Sequence, residues 1–165
     1  MSKFKYVTPY WRDSQTVYGE GIKTYTGTTF YIVNLKSFNN TVKLYFYDFK
    51  GNLIPEMSIE MIISGNAVLD LRLVDIISFK DPSYRLTSNL KTGSVRLYSD
   101  EPVVANGKMF NGKSTSKGGT EDLNIWSIDF KEVEFIPLKY GVAEPNPIPD
   151  KNFGEYMKKK YPFPK

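Results

Sequence analysis

Apolar side chains recur at every second position along much of this chain, and no segment of ten or more residues keeps the spacing of an amphipathic helix. Residues 41–47 set the pattern: Val42, Leu44 and Phe46 fall on one face, and Lys43, Tyr45 and Tyr47 on the other. Residues 28–33 are β-branched and aromatic, which suits a pleated, half-buried surface. Between these two runs lie three asparagines and a serine, and after the second comes a turn with Gly51 available for positive φ. Residues 58–63, 68–73, 94–98, 103–110 and 124–130 predict further strands, and Val133 and Phe135 suggest another. Turns fall at 64–66 and 99–102, and a loop at 111–120. Residues 74–86 are less regular, with one helical turn expected at 75–79. The prediction is an all-β, antiparallel β-sandwich, jelly-roll or Ig-like, of seven to nine short strands.

The ends differ from the middle. Residues 1–142 read as a single sandwich domain whose first 27 residues carry Tyr6, Tyr10, Trp11, Tyr18 and Tyr25 without clear alternation. Residues 143–165 hold Pro145, Pro147, Pro149, Pro162 and Pro164 and the run Lys158, Lys159, Lys160. Proline cannot donate a ladder hydrogen bond and favours extended backbone. A Pro/Lys-rich C-terminal arm is therefore expected, with Lys158, Lys159, Lys160 and Tyr161 as its candidate contacts.

Composition removes most catalytic chemistry. The 165 residues contain no cysteine and no histidine, so no disulfide, thiolate nucleophile, imidazole base or His/Cys metal site can form. Neither metal nor cofactor is expected. The formal net charge is +4, and the 22 basic residues are eighteen lysines and four arginines. Bidentate base or phosphate recognition favours arginine, so nucleic acid is not indicated. No apolar run is long enough to span a bilayer, and no secretory signal opens the chain. A cytoplasmic location follows as the expectation, or a virion location for a phage structural protein.

Residues 107–114 match G-x-x-x-x-G-K-[ST] letter for letter. A P-loop needs a helix starting at that lysine, and residues 115–120 are turn chemistry instead. A flexible hairpin loop is expected there, and a nucleotide hydrolase is not. Glu132 and Glu134 share a strand face, and Asp70 and Asp75 could flank magnesium, but solvent-facing positions account for both pairs. The aromatic excess is more informative. Tyr45 and Tyr47 lie on the polar side of their strand and suit a ligand or protein interface, or burial under a neighbouring layer. Trp11 and Trp126 are each a core anchor or a ligand platform.

The succession of residues 30–34, 41–48 with Gly51, 68–71 and 93–105, the last ending Ser99-Asp100-Glu101-Pro102-Val103-Val104, has a known counterpart. Over about residues 28–110 the chain resembles the small β-sandwich family typified by the sensory rhodopsin transducer. The resemblance implies a non-enzymatic sandwich that assembles as a homo-oligomer, a tetramer in the transducer, and binds a partner protein. Sugars and DNA are among the ligands proposed for such proteins. The aromatic N-terminal segment, the 111–120 loop and the tail depart from the pattern, so a rhodopsin partnership is not carried over. The expected function is a binding and assembly module that meets itself and another protein through an aromatic surface. A carbohydrate-binding sandwich and a viral or phage structural subunit are the alternatives.

Overall fold

A computed structural model describes residues 2–19, 22–114, 120–134 and 150–160. Within them the elements run β1 Phe4–Val17, β2 Lys23–Asn34, β3 Asn40–Asp48, a 3-10 turn Pro55–Met57, β4 Ile59–Ile63 and β5 Val68–Arg72. There follow α1 Leu73–Lys80, a second 3-10 turn Pro82–Leu86, β6 Asn89–Ser99, β7 Val103–Ser114, β8 Thr120–Asp129, β9 Lys131–Val133 and α2 Phe153–Lys160. Every pairing between these strands is antiparallel.

The ladder order is β4-β3-β6-β1-β2-β7-β8, with β9 on β1 and β5 on β2. Strands β1 and β2 leave their connection as a hairpin, Ser14 opposite Thr26 and Val17 opposite Lys23. They then split, β1 toward β9 and β2 toward β5. The Thr28 hydroxyl fills the split, accepting from the Arg12 amide at 3.1 Å and donating to the Arg12 carbonyl at 2.7 Å. At the other side β8 pairs with β7 as far as Asp129, and Lys131 already pairs with Val7 of β1. The chain thus changes layer at Phe130, whose ring meets Phe30 edge-on at 4.9 Å.

These crossings fold the ladder over itself. Phe46 on β3 and Phe30 on β2 lie three strands apart, about 14 Å in a flat sheet. Their ring centroids are 6.4 Å apart, so they face each other across two layers. The molecule is the expected antiparallel sandwich. Trp11, Phe30, Leu44, Phe46, Leu71 and Leu97 are fully buried between the layers. The Trp11 ring lies edge-on to Phe46 at 5.5 Å, and its Nε1 donates to the Ser94 carbonyl at 3.0 Å.

Three expectations need correction. The N-terminal segment forms β1, which at 14 residues is no short strand. Its alternation is masked by a bulge: Thr8 pairs with Val95 and Trp11 with Gly93, three residues against two. The buried positions are then Tyr6, Thr8, Trp11, Asp13 and Gln15, and the polar ones obscure the pattern further. Residues 107–114 are not a hairpin loop but the last two thirds of β7, paired with β2 on one side and β8 on the other. The C-terminal segment is not extended over 153–160. It forms α2, with Phe153 fully buried in the core and its ring 5.7 Å from Phe79. Spacing explains this: Phe153, Tyr156 and Met157 sit at i, i+3 and i+4, one helical face, beyond the last of the closely spaced prolines. Residues 143–149 and 161–165 lie outside the described residues, Tyr161 among them. Gly51 takes the positive φ its turn suggested, 87°.

Candidate functional site

Strand parity places the four aromatic candidates but not their covering. Trp11 is fully buried, as above. Tyr45 is 1% exposed, edge-on to Tyr98 at 5.6 Å, so it shows no ring face at the surface. Tyr47 is half-buried, with the Arg96 guanidinium 5.0 Å from its ring centre. Burial raises its hydroxyl pKa above the ordinary phenol value, and Arg96 pulls the other way. Trp126 alone keeps a large open surface, at 44% exposure.

The tail lysines have different surroundings. Lys160 Nζ lies 3.0 Å from the Asp75 carboxylate, which is fully buried in the first turn of α1. Lys158 pairs with Glu155 on the surface of α2, and Lys159 is exposed. Upstream, Asp150 exchanges backbone hydrogen bonds with Ser58 and Glu60 and takes the Lys80 ammonium on its side chain. That contact, the larger influence, lowers the Asp150 pKa against the opposing effect of burial. Asp75 therefore faces a lysine of its own chain. Among the described residues no three Asp or Glu side chains gather as a metal site.

Two surfaces remain that spacing alone did not reveal. The first is β8. It ends the ladder order, and among the described residues its outer edge has no partner strand. Residues 124–127 are all exposed there, Ile125 at 63%. The second is a cleft of about 680 Å³ over the face of β2 that carries Tyr25, Gly27, Thr29 and Tyr31. One wall is the polar end of β1, where Asp13 and Gln15 are buried. Gln15 Nε2 donates to the carbonyls of Tyr84 and Thr87 at 2.8 and 2.7 Å, and the Tyr84 hydroxyl donates to Asp13 Oδ1 at 2.9 Å. Desolvation, then the Asp13 charge, pushes the Tyr84 pKa far above the phenol range. Asp70 and Arg72 of β5, Lys108 and Phe110 of β7 and Ile125 of β8 also line the cleft, which thus adjoins the β8 edge.

Its internal order follows from register. Thr29 lies opposite Arg72 on one side and Lys108 on the other, which makes a row Arg72, Thr29, Lys108. One row along, Tyr31 lies between Asp70 and Asn106. In the other direction Gly27 lies opposite Phe110, whose ring meets Tyr25 edge-on at 6.2 Å. A Cβ on Gly27 would stand 2.8 Å from Phe110 Cζ, so the missing side chain is what admits that ring. The period of two puts Asp70 and Arg72 on a polar face, but only long-range pairing brings Lys108 beside them.

No family model matches the chain, and no curated protein matches it. Among solved structures it is similar to the crystal structure of Thermotoga maritima 1070, at 16% identity, over 77% of this chain and 92% of that one, with a TM-score of 0.49.

Proposed function

We propose that this chain is a non-enzymatic binding and assembly module that works as a homo-oligomer, with copies meeting along β8. The observation that carries this is the outer edge of β8, without a partner strand among the described residues, and its exposed Ile125 and Trp126. An unpaired strand edge is a row of unsatisfied amides and carbonyls, and proteins that stay monomeric blunt such edges with lysine or proline. The acids of residues 120–129 stand toward the strand's ends, at 121, 122 and 129, and residues 124–127 carry neither charge nor proline. Two copies of β8 pairing antiparallel about a twofold axis would satisfy both edges with one self-complementary contact. The missing histidine and cysteine agree with work done by contact.

Light scattering coupled to gel filtration tests the proposal. A dimer or higher even oligomer is expected at micromolar concentration. Ile125→Lys is expected to release monomer, whereas Phe49→Lys, at a still more exposed site away from β8, leaves the mass unchanged. A wild-type monomer, or an Ile125→Lys chain of unchanged mass, refutes it.

A further inference from the structure

We infer that the β1–β2 hairpin, on the face of β1 that carries Arg12, Ser14 and Thr16, binds a small polyhydroxylated carboxylate. A cavity of about 210 Å³ opens there, with Arg12, Ser14, Thr16, Thr24, Thr26 and Asn111 in its lining. Register aligns these residues. Ser14 lies opposite Thr26 and Thr26 opposite Asn111, while Thr16 lies opposite Thr24. Directly opposed residues of a ladder share a face, and neighbouring strands lie about 4.8 Å apart. The floor is thus two rows of hydroxyls, one of them ending in an amide about 10 Å from its first member. The volume is smaller than that of sites for drug-sized ligands, which suits a single small molecule.

Two groups of the lining have opposite deficiencies. Among the described residues Arg12 is its single charged side chain, and no carboxylate pairs with it. Its Nε donates to Ser14 Oγ at 3.2 Å, which lays the guanidinium along the strand and leaves its terminal donors for a ligand. The Asn111 side-chain oxygen is buried and receives no donor. An orphaned acceptor of this kind is destabilising, and the broad terminal torsion of asparagine lets the amide turn toward the cavity with little strain. A ligand that relieves both brings an anion to Arg12 and a hydroxyl donor to Asn111. The arginine fork matches a carboxylate, and the Ser14, Thr24 and Thr26 hydroxyls donate or accept as further ligand hydroxyls require. Sulfate offers acceptors only, acetate lacks the donor, and a neutral polyol leaves the guanidinium unmatched. The row continues from Asn111 to Asn124 of β8, so the site adjoins the strand proposed for assembly, and Trp126 stands one row along on the same face. Ile125, opposite Phe110, lies on the other face.

Isothermal titration and ligand-observed NMR on the full chain test this, with gluconate and glycerate as probes. Sorbitol supplies the hydroxyls without the charge, acetate the charge without the hydroxyls, and sulfate an anion that cannot donate. At least one hydroxy acid is expected to saturate at about 1 mM or below, with all three controls at least about tenfold weaker. Arg12→Gln, and independently Asn111→Ala, should each weaken the hydroxy acid at least about tenfold. Far-UV circular dichroism should be unchanged in both, and the melting temperature of Asn111→Ala should hold or rise, because the orphaned oxygen is gone. If one variant fails to fold, the other carries the test. Three results overturn the inference: no hydroxy acid saturates by about 10 mM, any of the three controls binds as well, or the folded variants bind as wild type does. Particle mass enters none of these readings, and both variants leave Ile125 and Trp126 in place, so the assembly proposal stands or falls separately.

Discussion

Tyr84 and Asp13 meet where the apolar core gives way to the polar end of β1, and their contact controls how stability responds to alkali. The tyrosine is 3% exposed and its hydroxyl donates to Asp13, so ionisation would place a second negative charge in a desolvated site. Its pKa is raised, first by burial and then by Asp13. The unfolded chain loses that proton near pH 10 while the folded chain keeps it, so stability is intact below about pH 10 and falls as pH rises beyond it. Urea midpoints should accordingly drop between pH 9 and pH 10.5. In Tyr84→Phe that drop should shrink to the smaller slope left by Tyr6 and Tyr47, both also raised by burial. The same variant should cost about 1–3 kcal/mol at pH 7, because Asp13 loses a buried donor. An undiminished alkaline drop in Tyr84→Phe would reassign it to other tyrosines. At this scale the sequence is a good guide to side and a poor one to cover. Alternation put Val42, Leu44 and Phe46 inward, as found, and set Tyr45 on the opposite face, but it carries no information that Tyr98 would lie against that ring.

Two elements behave differently from their composition. Residues 107–114 look like a phosphate loop, yet their backbone groups belong to ladders with β2 and β8. If strand packing is what these residues serve, Gly107→Ala should be the costly change and Lys113→Ala nearly neutral. A Cβ on Gly107 would lie 2.6 Å from the Thr29 carbonyl and 2.9 Å from Phe30, whereas Lys113 is exposed. Thermal melts should show Lys113→Ala within about 0.5 kcal/mol of wild type and Gly107→Ala lower by about 1–3 kcal/mol. The tail element is integral, not appended. Phe153→Ala should cost about 3–5 kcal/mol through the cavity it leaves, measured by urea unfolding, while Lys159→Ala changes nothing measurable. Lys160→Met should fall between, at about 3 kcal/mol, since it strips the buried Asp75 of its lysine. The prolines and lysines of the tail are visible in the sequence and suggest an extended arm. What they hide is a two-turn apolar face whose meaning depends on α1 and the core beneath it.

The whole molecule is closed by contacts between segments remote in sequence, which is why the sandwich was legible as a class and its closure was not. The split of β1 from β2 around Thr28 and the change of layer at Phe130 are both matters of register. The third closure, α2 with its leading residue Asp150, is tied electrostatically as well as by packing, and that makes it separable by pH. The Asp150 pKa is lowered, chiefly by the hydrogen bond from Lys80. A carboxylate of this kind stabilises the fold above its unfolded value near 4, and the contribution is lost as pH falls through its folded value. The backbone bonds from Asp150 to the β4 segment and the packing of Phe153 persist in acid, so the loss is partial and local. Hydrogen exchange corrected for intrinsic rates should therefore show residues 150–160 opening more readily at pH 3 than at pH 6, with β3 and β6 unchanged. Asp150→Asn should reduce that pH dependence by opening the segment at pH 6, while the Lys160–Asp75 pair still ties α2 to α1. A uniform loss of protection across the sheet would instead mean that α2 and the sandwich unfold as a single cooperative unit.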